Sequence, residues 1–79
     1  MTRSDRRLAR LRRARSGVKP EELRTVLESA GFVLQGIRGS HWVYRHPAGT
    51  RPVVIPYRRP LLPIYVKQAL DAIDEVLEP

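Results

Sequence analysis

Apolar positions recur along this chain with two different periods, and glycines and prolines mark where one gives way to the other. Leu23, Val26, Leu27 and Ala30 fall at i, i+3, i+4 and i+7, one face of an amphipathic helix over residues 20–30. Pro20 suits its first turn, where no amide donor is needed. Glu21 and Glu22 lie at the positive end of the helix dipole, and Gly31 supplies the stop. Val66, Leu70, Ile73 and Leu77, flanked by Ala69 and Val76, mark a second such face over 63–78, opened by Pro63. Between these helices the period shortens. Runs rich in Val, Ile and aromatics predict strands at about 32–38, 41–46 and 52–57. Gly39-Ser40 separates the first two, and Pro47-Ala48-Gly49-Thr50 separates the last two. Turns this short predict an antiparallel meander. Pro52 and Pro56 lack amide donors, which places the third strand at an edge or interrupts its ladder. Residues 58–62 form a connector.

Residues 1–17 carry a thinner stripe, Leu8, Leu11 and Ala14, and predict one further helix, capped by Thr2 with Asp5 three residues on and stopped by Gly17. An isolated helix of this length is marginal in water. It docks through Leu8 and Leu11, binds something acidic, or frays. The element order is α, α, β, β, β, α, an α+β fold with a three-stranded antiparallel sheet and helices on one face. With the first helix set aside, α-β-β-β-α is the order of the double-stranded-RNA-binding fold. The division expected is an Arg-rich extension over 1–17 and one domain over 18–79.

Charge sharpens that division. The 79 residues carry a net charge of +7. Residues 1–17 hold seven arginines against Asp5, whereas 18–79 hold eight basic and seven acidic side chains. An arginine block of this kind suggests a polyanion, either nucleic acid or an acidic protein surface, or a solvated segment. The acids Asp71, Asp74, Glu75 and Glu78 crowd the C-terminal end of the last helix, where the dipole disfavours them. A cation from the arginine helix could offset them. There is no cysteine and hence no disulfide. Two histidines without a thiolate argue against a structural zinc, and no cofactor or metal is expected. No apolar run is long enough to span a bilayer and the start lacks a secretory signal, so a cytoplasmic protein with no membrane partner is expected. A domain this small sits near the stability margin, which leaves room for a homodimer through exposed sheet aromatics or an edge strand.

The chemistry concentrates at Gly39-Ser40-His41-Trp42-Val43-Tyr44, with Arg38 before it and Arg45 after. Alternation puts His41, Val43 and Arg45 on one face of the strand and Trp42, Tyr44 and His46 on the other. His41 and His46 therefore point apart and cannot serve one phosphate within one subunit. A single histidine can still cleave RNA. It removes the proton of the ribose 2′-hydroxyl while cations stabilise charge on the phosphorus oxygens, and an ordinary imidazole suits that task near neutral pH. Arg38, Arg45, Arg58 or Arg59 could supply the cations, and Ser40 with the Gly39-Ser40 amides could hold a phosphate. The competing reading of His41 is a turn histidine bonded to backbone. Trp42 and Tyr44 either stack on bases or pack against a neighbour. His46 before Pro47 reads as a hairpin residue, and Lys67 on the last helix faces solvent or RNA.

These residues resemble a known family. Leu23, then Leu27-Glu28-Ser29-Ala30-Gly31-Phe32, then Arg38 through Pro47, then Val53-Val54-Ile55-Pro56, are similar to the HicA toxins, the RNA-cleaving halves of HicA–HicB toxin–antitoxin pairs. The likeness runs over about 18–77, and the extra N-terminal helix resembles a longer-chain branch. It implies a double-stranded-RNA-binding-like fold, metal-independent cleavage of mRNA with His41 as the catalytic histidine presented by Gly39 and Ser40, and a HicB-like antitoxin as partner. The chain departs from the family at two places. Tyr57-Arg58 stands where many members carry a second histidine, and Pro63-Ile64-Tyr65 where many have Pro-Gly-Thr. A non-catalytic RNA-binding module and an antitoxin-docking interaction protein are the alternative readings.

Overall fold

The structure is a computed structural model that describes residues 3–77. Its elements are α1 (Arg3–Arg13), α2 (Pro20–Ser29), β1 (Val33–Arg38), β2 (His41–Arg45), β3 (Val53–Pro56) and α3 (Pro63–Leu77). The strands form one antiparallel sheet in the order β1-β2-β3, so the proline-bearing third strand is an edge. This is the α+β order expected from the pattern. The cap expected from Thr2 lies outside the described residues.

α1 ends at Arg13, short of Gly17. The chain turns at Ser16–Gly17, with Gly17 at a φ of +72° that a side-chained residue rarely adopts. Val18 then drops into the core, 3 % exposed, where its carbonyl accepts a 2.8 Å hydrogen bond from the Leu61 amide. That bond ties the approach to α2 to the connector before α3.

α2 closes with a Schellman motif. The Phe32 amide donates to Leu27 O and the Gly31 amide to Glu28 O, both at 3.0 Å. Gly31 has a φ of +94°, and a Cβ there would meet His46 Nε2 at 2.9 Å, so both conformation and space demand glycine. His46 explains the crowding. Its Nδ1 accepts from the Ala48 amide at 3.0 Å, which leaves the hydrogen on Nε2 to donate to Ala30 O at 3.2 Å. The imidazole thus caps α2 from the β2–β3 turn, with its ring edge-on to Phe32. His46 is the hairpin residue the sequence suggests, with a helix-capping task added.

One core joins all three helices to the inner face of the sheet. It contains Leu11 of α1, Leu23, Val26 and Leu27 of α2, Tyr44, Val53 and Ile55 of the sheet, and Val66, Leu70 and Ile73 of α3. α1 therefore docks rather than frays. Leu11 is 1 % exposed and Leu8 packs beside it. The flanks of α1 are held by ion pairs, Arg10 with Glu22 on α2 and Arg12 with Asp74 on α3. The second pair supplies the cation that the acidic end of α3 lacks, and Arg51 approaches Glu75 at 3.7 Å on the same helix. No helix among the described residues is long and apolar enough to cross a membrane.

Leu11→Ala should cost about 2–5 kcal/mol, because it empties a sealed site; equilibrium urea unfolding measures it. Asp74→Asn should cost less than about 1 kcal/mol, because both partners are well exposed. The Arg12 guanidinium holds the Asp74 carboxyl below the usual carboxylate range. That contribution is therefore present above the ordinary carboxylate pKa and is lost as pH falls through the lowered value. The difference in stability between parent and Asp74→Asn should shrink over that acid window and stay constant above it.

Candidate active site

The turn between β1 and β2 has two central residues, Gly39 and Ser40. Gly39 takes a φ of +59° while Ser40 stays at negative φ, the pattern of a type II′ hairpin with glycine first. Arg38 and His41 are consequently direct cross-strand partners on either side of the turn. Paired residues of an antiparallel ladder put their side chains on the same face. On its other side His41 pairs with Pro56. One further bond fixes the place: the Tyr57 amide donates to Ser40 O at 2.6 Å. The Gly-Ser turn and the chain leaving β3 are thereby held together.

Around His41 these constraints build a cleft of about 270 Å³ lined by Ser40, His41, Tyr57, Arg58, Leu62 and Tyr65, among others. His41 is exposed, and among the described residues its ring has no hydrogen-bond partner. The backbone-bonded turn histidine weighed above is not what the structure contains. The side chains of Arg38 and Arg58 are exposed and have no ion-pair partner among the described residues. Arg38 is the cross-strand partner of His41 but does not line the cleft, whereas Arg58 stands in the cleft wall. Among the described residues no group of three or more His, Asp or Glu side chains gathers that could hold a metal ion.

A second, shallower cleft of about 390 Å³ abuts the first, sharing Ser40 and Tyr57 with it. Glu21, Arg24, Gly39 and Trp42 complete it. Trp42 is partly buried with the Arg24 guanidinium 4.0 Å from its ring centre. Arg24 is aimed by Tyr44: its Nε donates to the Tyr44 hydroxyl at 2.7 Å, and that hydroxyl donates to Glu28 Oε2 at 3.1 Å. The Tyr44 contact pushes the Arg24 pKa still higher, so this cation is permanent.

The remaining arginines and lysine fall elsewhere. Arg45 lies at the far end of β2, its Nε donating to Gln35 Oε1 at 2.7 Å. Gln35 is the extra residue of a bulge, where the β1–β2 register shifts between Leu34 and Gly36. Arg59 bonds Glu21, and the neighbouring Tyr57 hydroxyl and Glu21 carboxylate raise its pKa. Lys67 pairs with Asp71 on the outside of α3 at 2.8 Å. None of these three lines the His41 cleft. Tyr44 requires a correction. Its ring is fully buried in the core, so it packs against neighbours and offers no stacking surface. The sequence pointed to neither Arg24 nor the clefts' apolar wall. Arg24 carries one signal, an i,i+4 spacing to Glu28 that the structure closes to 3.8 Å.

A family model described as the HicA toxin of bacterial toxin–antitoxin systems matches residues 20–74. The chain belongs to the HicA toxin family. Membership implies a toxin role with an antitoxin partner. The matched stretch runs from the first residue of α2 into the last turns of α3 and includes both clefts. α1 precedes it. No curated protein and no solved structure matches the chain.

Tyr44→Phe tests the link that aims Arg24. Losing the hydroxyl should cost about 1–2 kcal/mol, because Arg24 and Glu28 lose their shared partner. Burial is the main cause that raises the Tyr44 pKa above its usual value. The folded state therefore favours the neutral phenol, and its contribution is intact below pH about 10 and declines as pH rises beyond it. Denaturation of parent and Tyr44→Phe between pH 8 and 11 should show the parent's advantage shrinking at the alkaline end (pH about 10 upward).

Proposed function

We propose that this HicA toxin is an endoribonuclease that cuts messenger RNA without a metal ion, with His41 moving the protons. The observation that supports the reading is an exposed imidazole with no hydrogen-bond partner among the described residues, with Arg58 in the wall of its cleft and Arg38 its cross-strand partner, neither arginine ion-paired among those residues.

The chemistry follows from those groups. The neutral imidazole takes the proton of a ribose 2′-hydroxyl. The 2′-oxygen then attacks the adjacent phosphorus, and the bond from phosphorus to the 5′-oxygen breaks. Charge that builds on the non-bridging oxygens is met by Arg38 and Arg58, with the Ser40 hydroxyl a further donor at the turn. The departing 5′-oxygen takes its proton from the imidazolium or from water. The products are a 2′,3′-cyclic phosphate and a 5′-hydroxyl. In this reading Arg38 and Arg58 supply the charge neutralisation that a metal ion would otherwise provide. Tyr57-Arg58, where many members of the family that this chain resembles carry a second histidine, leaves one imidazole for both proton transfers, because a guanidinium does not titrate near neutral pH. A HicB-like antitoxin that covers the His41 cleft would silence the activity without changing the fold.

His41→Ala should lower the rate of RNA cleavage by about 10²–10⁴-fold, the range of one general acid–base group. Arg38→Ala should lower it by a smaller factor while the fold persists. Growth arrest and message decay on induced expression, followed by analysis of the cut ends, measure this. Equal arrest and equal decay for parent and His41→Ala would contradict the proposal. Binding of RNA by both without cleavage would favour a non-catalytic RNA-binding module.

A further inference from the structure

We propose that Tyr57 is a stacking platform for one unpaired base of the RNA strand whose phosphate lies at His41. This rests on the reading of the chain as a ribonuclease and adds a contact that the reading does not require.

Tyr57 stands in the wall shared by the two clefts, one holding His41 and Arg58, the other Trp42 and Arg24. Tyr57 is 47 % exposed, one of the large hydrophobic residues open to solvent among the described residues. An aromatic ring left that open is normally mobile, but this one is braced. Trp42 lies 4.7 Å away at 56° between ring planes. The Arg59 guanidinium sits 6.0 Å from the ring centre and is itself anchored on Glu21. The backbone amide is held by Ser40 O. Behind Trp42, Arg24 and the buried Tyr44 complete the support. The ring is thus both presented and prevented from turning away. Preorganisation of this kind removes most of the ordering cost of a stacking contact.

The chemical class of occupant follows from the two clefts together. A chain with a phosphate at His41 places the base of a flanking nucleotide beside the adjoining wall. Stacking on a phenol tolerates any base and favours the larger purine face. A base can reach the ring only if it is free of a duplex, because A-form helices keep their bases stacked inside. Tyr57 therefore selects single-stranded RNA at the cut, although the fold shares its element order with a duplex-binding domain. Trp42 is not the platform, because it is half-buried and the Arg24 guanidinium lies 4.0 Å from its ring centre, whereas Tyr57 is the more open ring and its guanidinium neighbour stands 6.0 Å off.

The test uses the full-length chain with His41→Ala, so that the RNA survives, and end-labelled single-stranded oligoribonucleotides read by fluorescence anisotropy. Tyr57→Ala should weaken binding about tenfold, and Tyr57→Phe should restore it. Moving a single abasic ribose along the oligonucleotide should find one position that reproduces the loss in the Tyr57 protein. At that position Tyr57→Ala should cause no further loss. The abasic scan on the Tyr57 protein stands even if the alanine variant folds poorly. Tight RNA binding with no sensitive abasic position, or with losses that simply add, would overturn the platform and leave the ribonuclease reading intact. Failure of the Tyr57 protein to bind any RNA would overturn both.

Discussion

The hydroxyl of Tyr44, held between the Arg24 guanidinium at 2.7 Å and the Glu28 carboxylate at 3.1 Å, pins the central strand to α2. The ring below it is fully buried. Side chains on a strand alternate, so a slip of one residue would turn the whole set over. With Tyr44 inward, Trp42 must face the helices and His41 must face out. The exposure of the histidine is therefore a consequence of the packing of Tyr44, three residues away on the same strand. It does not depend on any contact His41 makes itself. The same hydroxyl aims Arg24 at Trp42, and Trp42 in turn braces Tyr57. One buried phenol thereby orders both the core and the wall of the candidate site.

The arginines divide by what they touch. Arg10, Arg12 and Arg59 engage acids on α2 and α3 and hold elements together, while Arg24 pairs with Glu28 within α2 and bonds Tyr44 of the sheet. Arg38 and Arg58 flank His41 with no such partner among the described residues. A net charge of +7 is thus not a uniform coat. Exposed pairs each contribute little, so α1 is held chiefly by Leu11 in the core, with the pairs setting its orientation.

The order of elements was legible because the punctuation is strong. Pro20, Gly31, Gly39 and Pro63 each mark a boundary by restricting or freeing φ, and the structure places element ends within a few residues of them. Alternation in β2 correctly separated His41 from Trp42 and Tyr44. It could not say that Tyr44 is sealed in, because burial depends on how far α2 and α3 extend over the sheet. The bulge at Gln35 left no trace in the pattern, since one inserted polar residue reads like ordinary alternation. Leu61, 2 % exposed, was hidden in a short Pro-rich connector with no period to reveal it. His46 as a cap of α2 and Arg24 as a cover for Trp42 are non-local contacts, each across 16 or more residues. No spacing rule reaches that far.

In the proposed reaction the ribose 2′-hydroxyl beside His41 is the nucleophile. A single 2′-deoxy substitution at one linkage that the toxin cuts in a short RNA tests it most directly. If the 2′-hydroxyl is the nucleophile, cleavage stops at that linkage alone, while neighbouring linkages are cut as before. Continued cleavage at the deoxy position would contradict it, because the proposed nucleophile would be missing.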